Sequence, residues 1–316
     1  MSVIENLPPV RGILKENENI GKRSFFGIEG YAEVLFVPED IDDLVFFLKN
    51  LPKEVKVTVL GAMSNVLIRS GGVPGIVIML GKWFDKVFVE DDILEVGAAV
   101  NCSKLSAAAV DNDLGGLEFL AGIPGTVGGA IRMNAGCYGA DISGVLVECE
   151  GVSFSGRIKW YKNADSDFDY RTSKISSNLI VTRAWFRGVR GVNSSITRKV
   201  NEMITTRRKT QPLDQRSCGS AFKNPEGKKA WELIDAAGCR GLKNGGAMIS
   251  EKHCNFIINT GNATADDIED LGESVAKKVF DNSGIQLEWE IVRLGNRREN
   301  NETGNLYGLS GNDPLR

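Results

Sequence analysis

The sequence predicts an α/β protein followed by a separate α+β domain. Strand patterns flank an amphipathic helix over residues 32–59, and a glycine-rich loop occupies residues 122–136. Composition then changes at Lys-Thr-Gln-Pro-Leu-Asp-Gln, residues 209–215, after which helix and strand patterns resume. The chain has 316 residues, which is enough for roughly two domains.

Composition and charge argue against several classes of partner. A net charge of −3 and a pI of about 5.5 lack the basic footprint of nucleic-acid binding. No apolar run approaches the ~20 residues of a membrane span, and no signal-peptide pattern is present, so we expect a cytoplasmic protein. The six cysteines are scattered, and His253 is the single histidine, so we expect reduced thiols and no metal site. No obligate protein partner is evident.

The N-terminal part of the chain predicts a small β-α-β unit. Residues 1–24 are polar, and we expect them to be irregular. The apolar run at residues 32–37 predicts a strand, and apolar residues recur at helical spacing over residues 41–48. Valines alternate with polar residues over 55–59, which predicts a second strand.

A turn rich in small and polar residues follows that strand at residues 61–72. Ser64 and Asn65 could offer short polar side chains and backbone amides to a ligand, but taken alone the pattern favours the alternative, an ordinary Ser/Asn turn. No G-x-G-x-x-G sequence follows a strand, so a Rossmann site is unsupported. Residues 75–82 have the wrong glycine spacing for a P-loop, and Trp83 stands where Ser or Thr would bind magnesium.

The central motif is the glycine-rich loop Gly122-Ile-Pro-Gly-Thr-Val-Gly-Gly-Ala-Ile-Arg-Met-Asn-Ala-Gly136. Its glycines lack side chains that would keep a ligand from the backbone, and they tolerate positive φ. Consecutive exposed amides in such a loop form a concave site for anions. We interpret the loop as a pyrophosphate cradle; the alternative is a tight loop packed under a sheet.

Further strands and helices are predicted on both sides of this loop. Strand patterns occur at residues 76–80, 87–96, 145–152 and 180–186, and helical patterns occur at residues 103–110 and 196–204. Arg171 lies between the last two strands, in Phe168-Asp-Tyr-Arg-Thr-Ser173. An arginine in such a loop can hold a carboxylate through its planar fork, and the alternative is a surface ion pair.

The last domain carries a candidate proton donor and a candidate carboxylate. Ser220 lies in Ser217-Cys-Gly-Ser-Ala-Phe-Lys-Asn-Pro225, and no histidine is near it in sequence, so a Ser-His-Asp hydrolase is not favoured. Thr264 and Asp267 predict a capping box for a helix that ends at residues 283–284.

A final strand is predicted at residues 287–291. Strand alternation places Glu288 and Glu290 together on the face opposite Trp289. The alternative for both carboxylates is a solvated face of the sheet. The chain beyond this strand is rich in Asn, Arg, Glu and Gly, and we expect a mobile polar tail at residues 297–316.

Taken together, the motifs resemble those of the UDP-N-acetylenolpyruvoylglucosamine reductase family, the flavoenzymes also called UDP-N-acetylmuramate dehydrogenases. The resemblance covers about residues 12–295 and is closest to the shorter subtype, which lacks an inserted tyrosine loop. Its marks are the turn at 61–72, Gly122-Ile-Pro-Gly-Thr-Val-Gly-Gly-Ala with Asn134-Ala-Gly136, Tyr170-Arg-Thr-Ser173, Gly219-Ser-Ala-Phe-Lys-Asn-Pro225 and Glu290-Ile-Val-Arg293.

The resemblance implies a PCMH-type, vanillyl-alcohol-oxidase-like fold that binds FAD, with a C-terminal α+β substrate-binding domain. The implied division is residues 1–72 and 73–208 for two FAD-binding subdomains, 209–296 for the substrate domain and 297–316 for the tail. FAD would be non-covalent, because His253 lies in the wrong domain for a flavin attachment. The positions that match the family's FAD-binding motifs are Gly61, Ser64, Asn65, Gly122, Ile123, Pro124, Gly125, Thr126, Gly128, Gly129, Ala130, Asn134 and Gly136.

The resemblance also implies the reaction. NADPH would reduce FAD, and hydride would pass from flavin N5 to the enolpyruvyl C3 of a UDP-sugar in peptidoglycan precursor synthesis. Arg171 and Glu290 match the residues that stabilise the resulting enolate, and Ser220 matches the serine that protonates C2. The candidates for binding the substrate's phosphates or carboxylate are Arg207, Lys223, Asn224 and Arg293.

One departure from the family pattern and two other functions bear on this resemblance. Met63 stands where the family usually has glycine, and methionine tolerates positive φ poorly, so we expect a reshaped first turn. The alternative function is an FAD-dependent oxidase or dehydrogenase of the same fold that acts on another alcohol. A non-catalytic nucleotide-binding relative is disfavoured, because Arg171, Ser220 and Glu290 are all present.

Overall fold

The computed structural model describes residues 3–175 and 177–298 of the chain. Within these residues the α-helices are α1 (Ile41–Asn50), α2 (Cys102–Asp111), α3 (Val127–Arg132), α4 (Asn193–Thr210), α5 (Ala230–Ala236) and α6 (Ala265–Ser283). Short 3-10 helices occur at Val3–Asn6, Gly21–Arg23, Lys82–Phe84, Glu118–Gly122, Ile142–Gly144 and Asn163–Asp165. None of these helices is long and apolar enough to span a bilayer.

The strands of the same residues are numbered in chain order. The first nine are β1 (Ile13–Asn19), β2 (Tyr31–Val37), β3 (Val57–Leu60), β4 (Val66–Ile68), β5 (Val73–Met79), β6 (Val87–Glu90), β7 (Ile93–Gly97), β8 (Leu114–Gly115) and β9 (Gly136–Cys137). The others are β10 (Ala140–Asp141), β11 (Leu146–Ser153), β12 (Ile158–Lys162), β13 (Leu179–Arg187), β14 (Val189–Arg190), β15 (Lys243–Asn244), β16 (Ala247–Ile249), β17 (Ile257–Asn259) and β18 (Val292–Leu294).

The first sheet has the order β1-β2-β5-β3. Strands β2 and β3 both run parallel to β5, and α1 connects them, so the predicted β-α-β unit is present. The prediction that residues 1–24 are irregular was wrong, because β1 pairs antiparallel with β2. Most side chains of β1 are exposed or half-buried, so this edge strand is held mainly by backbone pairing and carries no apolar alternation.

The second sheet is antiparallel, with the order β12-β11-β13-β7-β6. A single strand was predicted at residues 87–96, and this was wrong, because β6 and β7 form a hairpin there. Asp91 turns the chain with φ = 52°, a conformation that Asp tolerates better than most residues. One face of the sheet packs against α2 and α3 through a shared apolar core.

The C-terminal part contains the sheet β15-β16-β17 and the long helix α6. Thr264 and Asp267 form the predicted capping box at the start of α6. Residues 287–291 do not form the predicted strand: Trp289 makes one isolated bridge to Phe222, and the ladder does not continue. Strand β18 instead begins at Val292 and pairs in parallel with β4, which returns the chain to its first turn.

The apolar side chains form clusters that follow the chain. One cluster fills the first sheet and α1, another the second sheet with α2 and α3, and another the C-terminal sheet with α5 and α6. The C-terminal cluster also contains Phe26, Ile28 and Leu67, so it closes over N-terminal residues. The divisions at residues 72 and 208 stay predictions. Of the tail expected at 297–316, only Arg297 and Arg298 are described: Arg297 pairs with Asp266 and Asp270, and the amide of Arg298 donates to Oγ of Ser70.

Met63 adopts the conformation that glycine was expected to provide. Its φ is 52°, and its side chain is buried with Leu60, Ile68 and Val77. A left-handed conformation costs an ordinary residue about 1–2 kcal/mol. Burial of a methionine side chain contributes about 1.5–3 kcal/mol, so packing offsets the backbone cost.

Glu269 connects α6 to Arg69, which follows β4, and to Arg293 of β18. Its carboxylate accepts hydrogen bonds from Nε of Arg69 at 3.0 Å, from Nη2 of Arg69 at 2.7 Å and from Nη1 of Arg293 at 2.9 Å. Only 4% of the Glu269 side chain is exposed. Burial alone would raise the pKa of Glu269, but the Arg69 hydrogen bond and the charges of Arg69, Arg293 and Arg297 hold it below the ordinary value.

We expect Glu269→Gln to lower the free energy of unfolding by about 3 kcal/mol at neutral pH, because it leaves arginines without their buried partner. The pKa is lower in the folded state, so this stabilisation is full above the unfolded pKa of about 4.3 and is lost as pH falls through the folded pKa. Urea unfolding of wild type and variant from pH 3 to pH 8 measures the difference. Asp270→Asn, at a half-exposed carboxylate of the same helix, is the control. Equal stability of the wild type and Glu269→Gln at pH 7 would contradict the assignment.

Candidate functional site

The two predicted phosphate-binding turns pack directly on each other. Ser64 donates a hydrogen bond from Oγ to the carbonyl of Pro124 at 2.8 Å. A Cβ on Gly61 would lie 2.3 Å from Oγ1 of Thr126, so only glycine allows this approach. Gly125 has φ = 119°, and a Cβ there would lie 2.7 Å from Oγ of Ser64. The loops at 61–65 and 122–129 therefore pack against each other through the short side chains of Ser64 and Thr126, with glycines at the points of closest approach.

This surface offers backbone donors, although fewer than the sequence suggested. The amides of Val127 and Gly128 donate to the carbonyls of Val100 and Ala98, so they anchor α3 to the segment that follows β7. The amides of Ser64, Asn65 and Gly129 have no acceptor within the described part of the chain. Free amides beside glycines at a helix start suit an anionic group such as the pyrophosphate of FAD. The cradle thus fits the expected cofactor.

Glu290 lies at the edge of this cradle. Nδ2 of Asn65 donates to the main-chain carbonyl of Glu290 at 2.9 Å. The amide of Glu290 donates to the carbonyl of Ala221, the residue after Ser220, at 2.8 Å. Nε of Arg171 donates to Oε1 of Glu290 at 2.9 Å. Arg171, Glu290 and the segment that carries Ser220 therefore come from distant parts of the sequence to one place.

Arg171 is held at the tip of a tight turn. The backbones of Asp169 and Thr172 exchange two hydrogen bonds of 3.1 Å, and Arg171 between them has φ = 58°. A turn that places its third residue at positive φ normally uses glycine or asparagine there. A long side chain in this conformation costs free energy, and such outliers concentrate at functional sites. The turn aims the guanidinium at Glu290.

Asn134 supports this turn and has a buried side chain. Nδ2 donates to the carbonyl of Asp169 at 3.2 Å, and Oδ1 accepts from the amide of Ser143 at 3.1 Å. Its assignment as a cofactor-binding residue stays a prediction, but its amide group already has protein partners. Gly136 lies in the hairpin β9–β10, where a Cβ would meet the carbonyl of Ala140 at 2.5 Å.

The protonation of Glu290 is shifted by its surroundings. Burial raises the pKa of Glu290 above its ordinary value, although the charge and hydrogen bond of Arg171 and the charge of Lys223 act in the opposite direction. A carboxyl group with a raised pKa retains its proton nearer neutrality and can then donate to a developing negative charge. This is the property that the predicted role of Glu290 requires.

The candidate substrate-binding residues have different surroundings. Arg207 is half-buried, donates to the carbonyl of Gly122 and to Oε1 of Gln211, and has no carboxylate partner in the described residues. Burial lowers the pKa of Arg207. Lys223 forms an exposed ion pair of 3.4 Å with Glu288, and its charge also acts on Glu290.

The other two candidates are already engaged within the protein. Oδ1 of Asn224 accepts from the amide of Ala230 at 3.0 Å, at the start of α5. Arg293 contacts Glu269 and Glu273, and its guanidinium lies 4.7 Å from the Trp289 ring centre. All four assignments stay predictions, and Arg207 is the one whose positive charge lacks a carboxylate partner.

His253 is engaged in a structural hydrogen bond. Nδ1 of its ring accepts from the amide of Asn255 at 3.3 Å, and the ring packs edge-on against Phe256 at 4.8 Å. Burial lowers the pKa of His253, which favours the neutral ring that this contact needs. Asn255 contacts the Ser220 segment, and sequence reasoning missed it, because nothing in its local pattern separates it from other loop asparagines.

Comparisons with known proteins identify the class of this site. A family model described as an FAD binding domain matches residues 32–160, and one described as the C-terminal domain of UDP-N-acetylenolpyruvoylglucosamine reductase matches residues 211–294. The chain is therefore an FAD-binding oxidoreductase with a PCMH-type domain and a C-terminal α+β domain, as predicted.

Curated relatives and a solved structure agree with these matches. The UDP-N-acetylenolpyruvoylglucosamine reductase of Parvibaculum lavamentivorans is 49% identical over 94% of this chain and 96% of its own length. That of Bradyrhizobium sp. is 49% identical over 92% of this chain and 94% of its own length. The crystal structure of UDP-N-acetylenolpyruvylglucosamine reductase from Thermus caldophilus has a TM-score of 0.79 and 33% identity, covering 91% of this chain and 100% of that one. This chain belongs to the UDP-N-acetylenolpyruvoylglucosamine reductase family, which confirms the resemblance; the subtype stays a prediction.

Gly125→Ala tests the FAD cradle. We expect the dissociation constant for FAD to rise at least tenfold, because the added Cβ meets Ser64 and the positive φ becomes strained by roughly 1–3 kcal/mol. Flavin fluorescence titration of the apoprotein measures this constant. Gly144→Ala is the control, since a Cβ there meets nothing within 4 Å. Equal FAD affinity in both variants would show that the loop does not approach the cofactor.

Glu290→Gln tests the cost of burying this carboxyl group. The pKa of Glu290 is raised in the folded state, so its contribution to stability is full below the unfolded pKa and is lost as pH rises through the folded pKa. Glutamine carries no such loss. We therefore expect the melting temperature of the variant to exceed that of the wild type by about 1–3 °C at pH 8. This difference should vanish below about pH 4. Glu288→Gln, at an exposed carboxylate, should show no trend. A lower melting temperature for Glu290→Gln at pH 8 would argue that the ionised pair is net stabilising.

Proposed function

We propose that the protein reduces UDP-N-acetylglucosamine enolpyruvate to UDP-N-acetylmuramate at the expense of NADPH, a step of peptidoglycan precursor synthesis. The observation that carries this proposal is the Arg171–Glu290 contact of 2.9 Å, held by Asn65 against the FAD cradle. That arrangement suits a reaction in which a carboxylate-bearing substrate gains negative charge beside a flavin. We propose that the protein is cytoplasmic, because its six cysteines are free thiols, which suits a reducing compartment.

The chemistry that FAD supplies when bound is hydride transfer, from NADPH to C3 of the enolpyruvyl group. The residues of the chain determine where the resulting charge is stabilised. After hydride addition the substrate is an enolate, and the guanidinium of Arg171 and the carboxyl group of Glu290 lie together to receive it. A protonated Glu290 donates to the enolate oxygen, whereas an ionised one would repel it, and burial favours the protonated form.

The proton for C2 is proposed to come from Ser220. A hydroxyl group has no pKa near neutrality, so it acts as an acid only toward a strongly basic carbon. The enolate is such a base. Ser220 lies beside the Ala221 carbonyl that accepts the Glu290 amide, so the donor and the charge-stabilising pair belong to one hydrogen-bonded unit. The half-buried positive charge of Arg207 beside Gly122 is suited to an anionic group of substrate or cofactor.

Ser220→Ala separates the two halves of this reaction. With anaerobic holoenzyme we expect NADPH to bleach the flavin at a rate within about twofold of wild type. Reoxidation by UDP-N-acetylglucosamine enolpyruvate should slow by several orders of magnitude, because general acid catalysis of this kind contributes about 10²–10⁴-fold. Stopped-flow absorbance measures both steps. Ser194→Ala, at an exposed position of α4, is the control. Normal reoxidation in Ser220→Ala would remove Ser220 from the mechanism.

The same measurement on the wild type tests the whole proposal. Bleaching by NADPH followed by full recovery with the enolpyruvyl sugar is the expected result. Bleaching without recovery would point to a different oxidant for the same flavoprotein fold, as in an oxidase or dehydrogenase of another alcohol.

A further inference from the structure

We propose that Asn255 is a positioning residue for proton transfer, because it fixes the backbone that carries Ser220. This inference rests on the proposed function and assigns a role to a residue outside the motifs that identified the site. Asn255 is only 4% exposed and lies in the turn before β17.

Asn255 holds the residues after Ser220 by three hydrogen bonds. Its carbonyl accepts from the amide of Ala221 at 2.7 Å. Its side chain forms a closed pair with the backbone of Phe222: Oδ1 accepts from the amide at 3.0 Å, and Nδ2 donates to the carbonyl at 2.8 Å. A carboxamide has the same donor and acceptor as a peptide group, so Asn255 acts as a strand partner where no strand backbone is available.

The opposite edge of the same segment carries Glu290. The carbonyl of Ala221 accepts the amide of Glu290 at 2.8 Å, and the amide of Lys223 donates to the carbonyl of Glu288 at 2.8 Å. Residues 220–223 are therefore held between Asn255 on one side and residues 288–290 on the other. A shift of this segment would move Ser220 relative to the Arg171–Glu290 pair. Because proton transfer needs hydrogen-bond distance, a displacement of about 1 Å can lower its rate about 100-fold.

The orientation of Asn255 is itself determined by its neighbours. Its amide donates to Nδ1 of His253 at 3.3 Å, and the next residue, Phe256, forms a bridge with Ser220. The sole histidine therefore supports the residue that supports Ser220. Asn259, four residues further, provides a natural comparison: it is also buried, but its side chain bonds to Phe26, Gly261 and Ala263 and makes no contact with the Ser220 segment.

Asn255→Asp and Asn259→Asp form the test pair. Each replaces a buried amide by a nearly isosteric carboxyl group and removes one donor, so we expect both to lower the melting temperature. Only Asn255→Asp removes the donor to Phe222. In anaerobic stopped-flow measurements on FAD-loaded protein, we expect flavin reduction by NADPH to stay within twofold of wild type in both variants.

The two variants should differ in reoxidation by UDP-N-acetylglucosamine enolpyruvate. We expect this step to slow at least tenfold in Asn255→Asp, with a larger solvent deuterium effect, and to stay within twofold of wild type in Asn259→Asp. Asn255→Ser, which keeps a small donor and acceptor, should give an intermediate rate and serves if Asn255→Asp does not fold. Equal reoxidation rates in the Asn255 and Asn259 variants would overturn the proposal.

Ser220→Ala, measured in parallel, distinguishes the proton-donor role of Ser220 from the positioning role of Asn255. Slow reoxidation in Ser220→Ala with normal reoxidation in both Asn255 variants would refute the positioning role alone. Normal reoxidation in Ser220→Ala would refute the proton-donor assignment and the positioning role with it.

Discussion

The hydrogen bonds of Glu290 hold the candidate active site together. Its carbonyl accepts from Asn65, its amide donates to Ala221 and its carboxyl group accepts from Arg171. One residue thus connects the cofactor loop, the segment that carries Ser220 and the turn that carries Arg171. The main-chain bonds to Asn65 and Ala221 do not depend on the charge of Glu290, so its carboxyl group can change protonation without breaking them.

Several residues around this site adopt unfavourable backbone conformations. Met63 and Arg171 both have positive φ without being glycine, and each is held by its surroundings. Met63 is anchored by apolar burial, and the Arg171 turn is anchored by paired backbone bonds and by Asn134. These contacts offset the free-energy cost of the backbone conformations. Such conformations are common at functional sites, where the direction of a side chain matters more than local stability.

Much of the fold could be predicted from periodicity, and the site could be predicted from its motifs. The helices with one apolar face, such as α1 and α6, followed directly from spacing and capping residues. Strand β1 could not be predicted, because an edge strand exposed along most of its length shows no alternation. The sequence predicts one strand in place of the hairpin β6–β7, because Asp91 and Asp92 form the turn without glycine or proline.

The contacts that assemble the site were beyond local patterns. Arg171 and Glu290 are 119 positions apart, and Asn65 and Glu290 are 225 positions apart. Motif resemblance named these residues but could not show that Asn134 supports the Arg171 turn, or that Arg293 is engaged by Glu269. These contacts join residues that are far apart in the sequence, so neither local propensity nor residue spacing predicts them.

The parallel pairing of β18 with β4 has a consequence for biosynthesis. Strand β4 lies within the first quarter of the 316 residues, whereas β18 ends at Leu294. During translation, the residues of the N-terminal FAD-binding domain leave the ribosome well before β18 does. During translation, the nascent chain therefore holds a cofactor loop that lacks its Glu290 neighbour. The complete candidate site, with Glu290 beside the glycine-rich loop, therefore forms only after residues 290–294 have been translated.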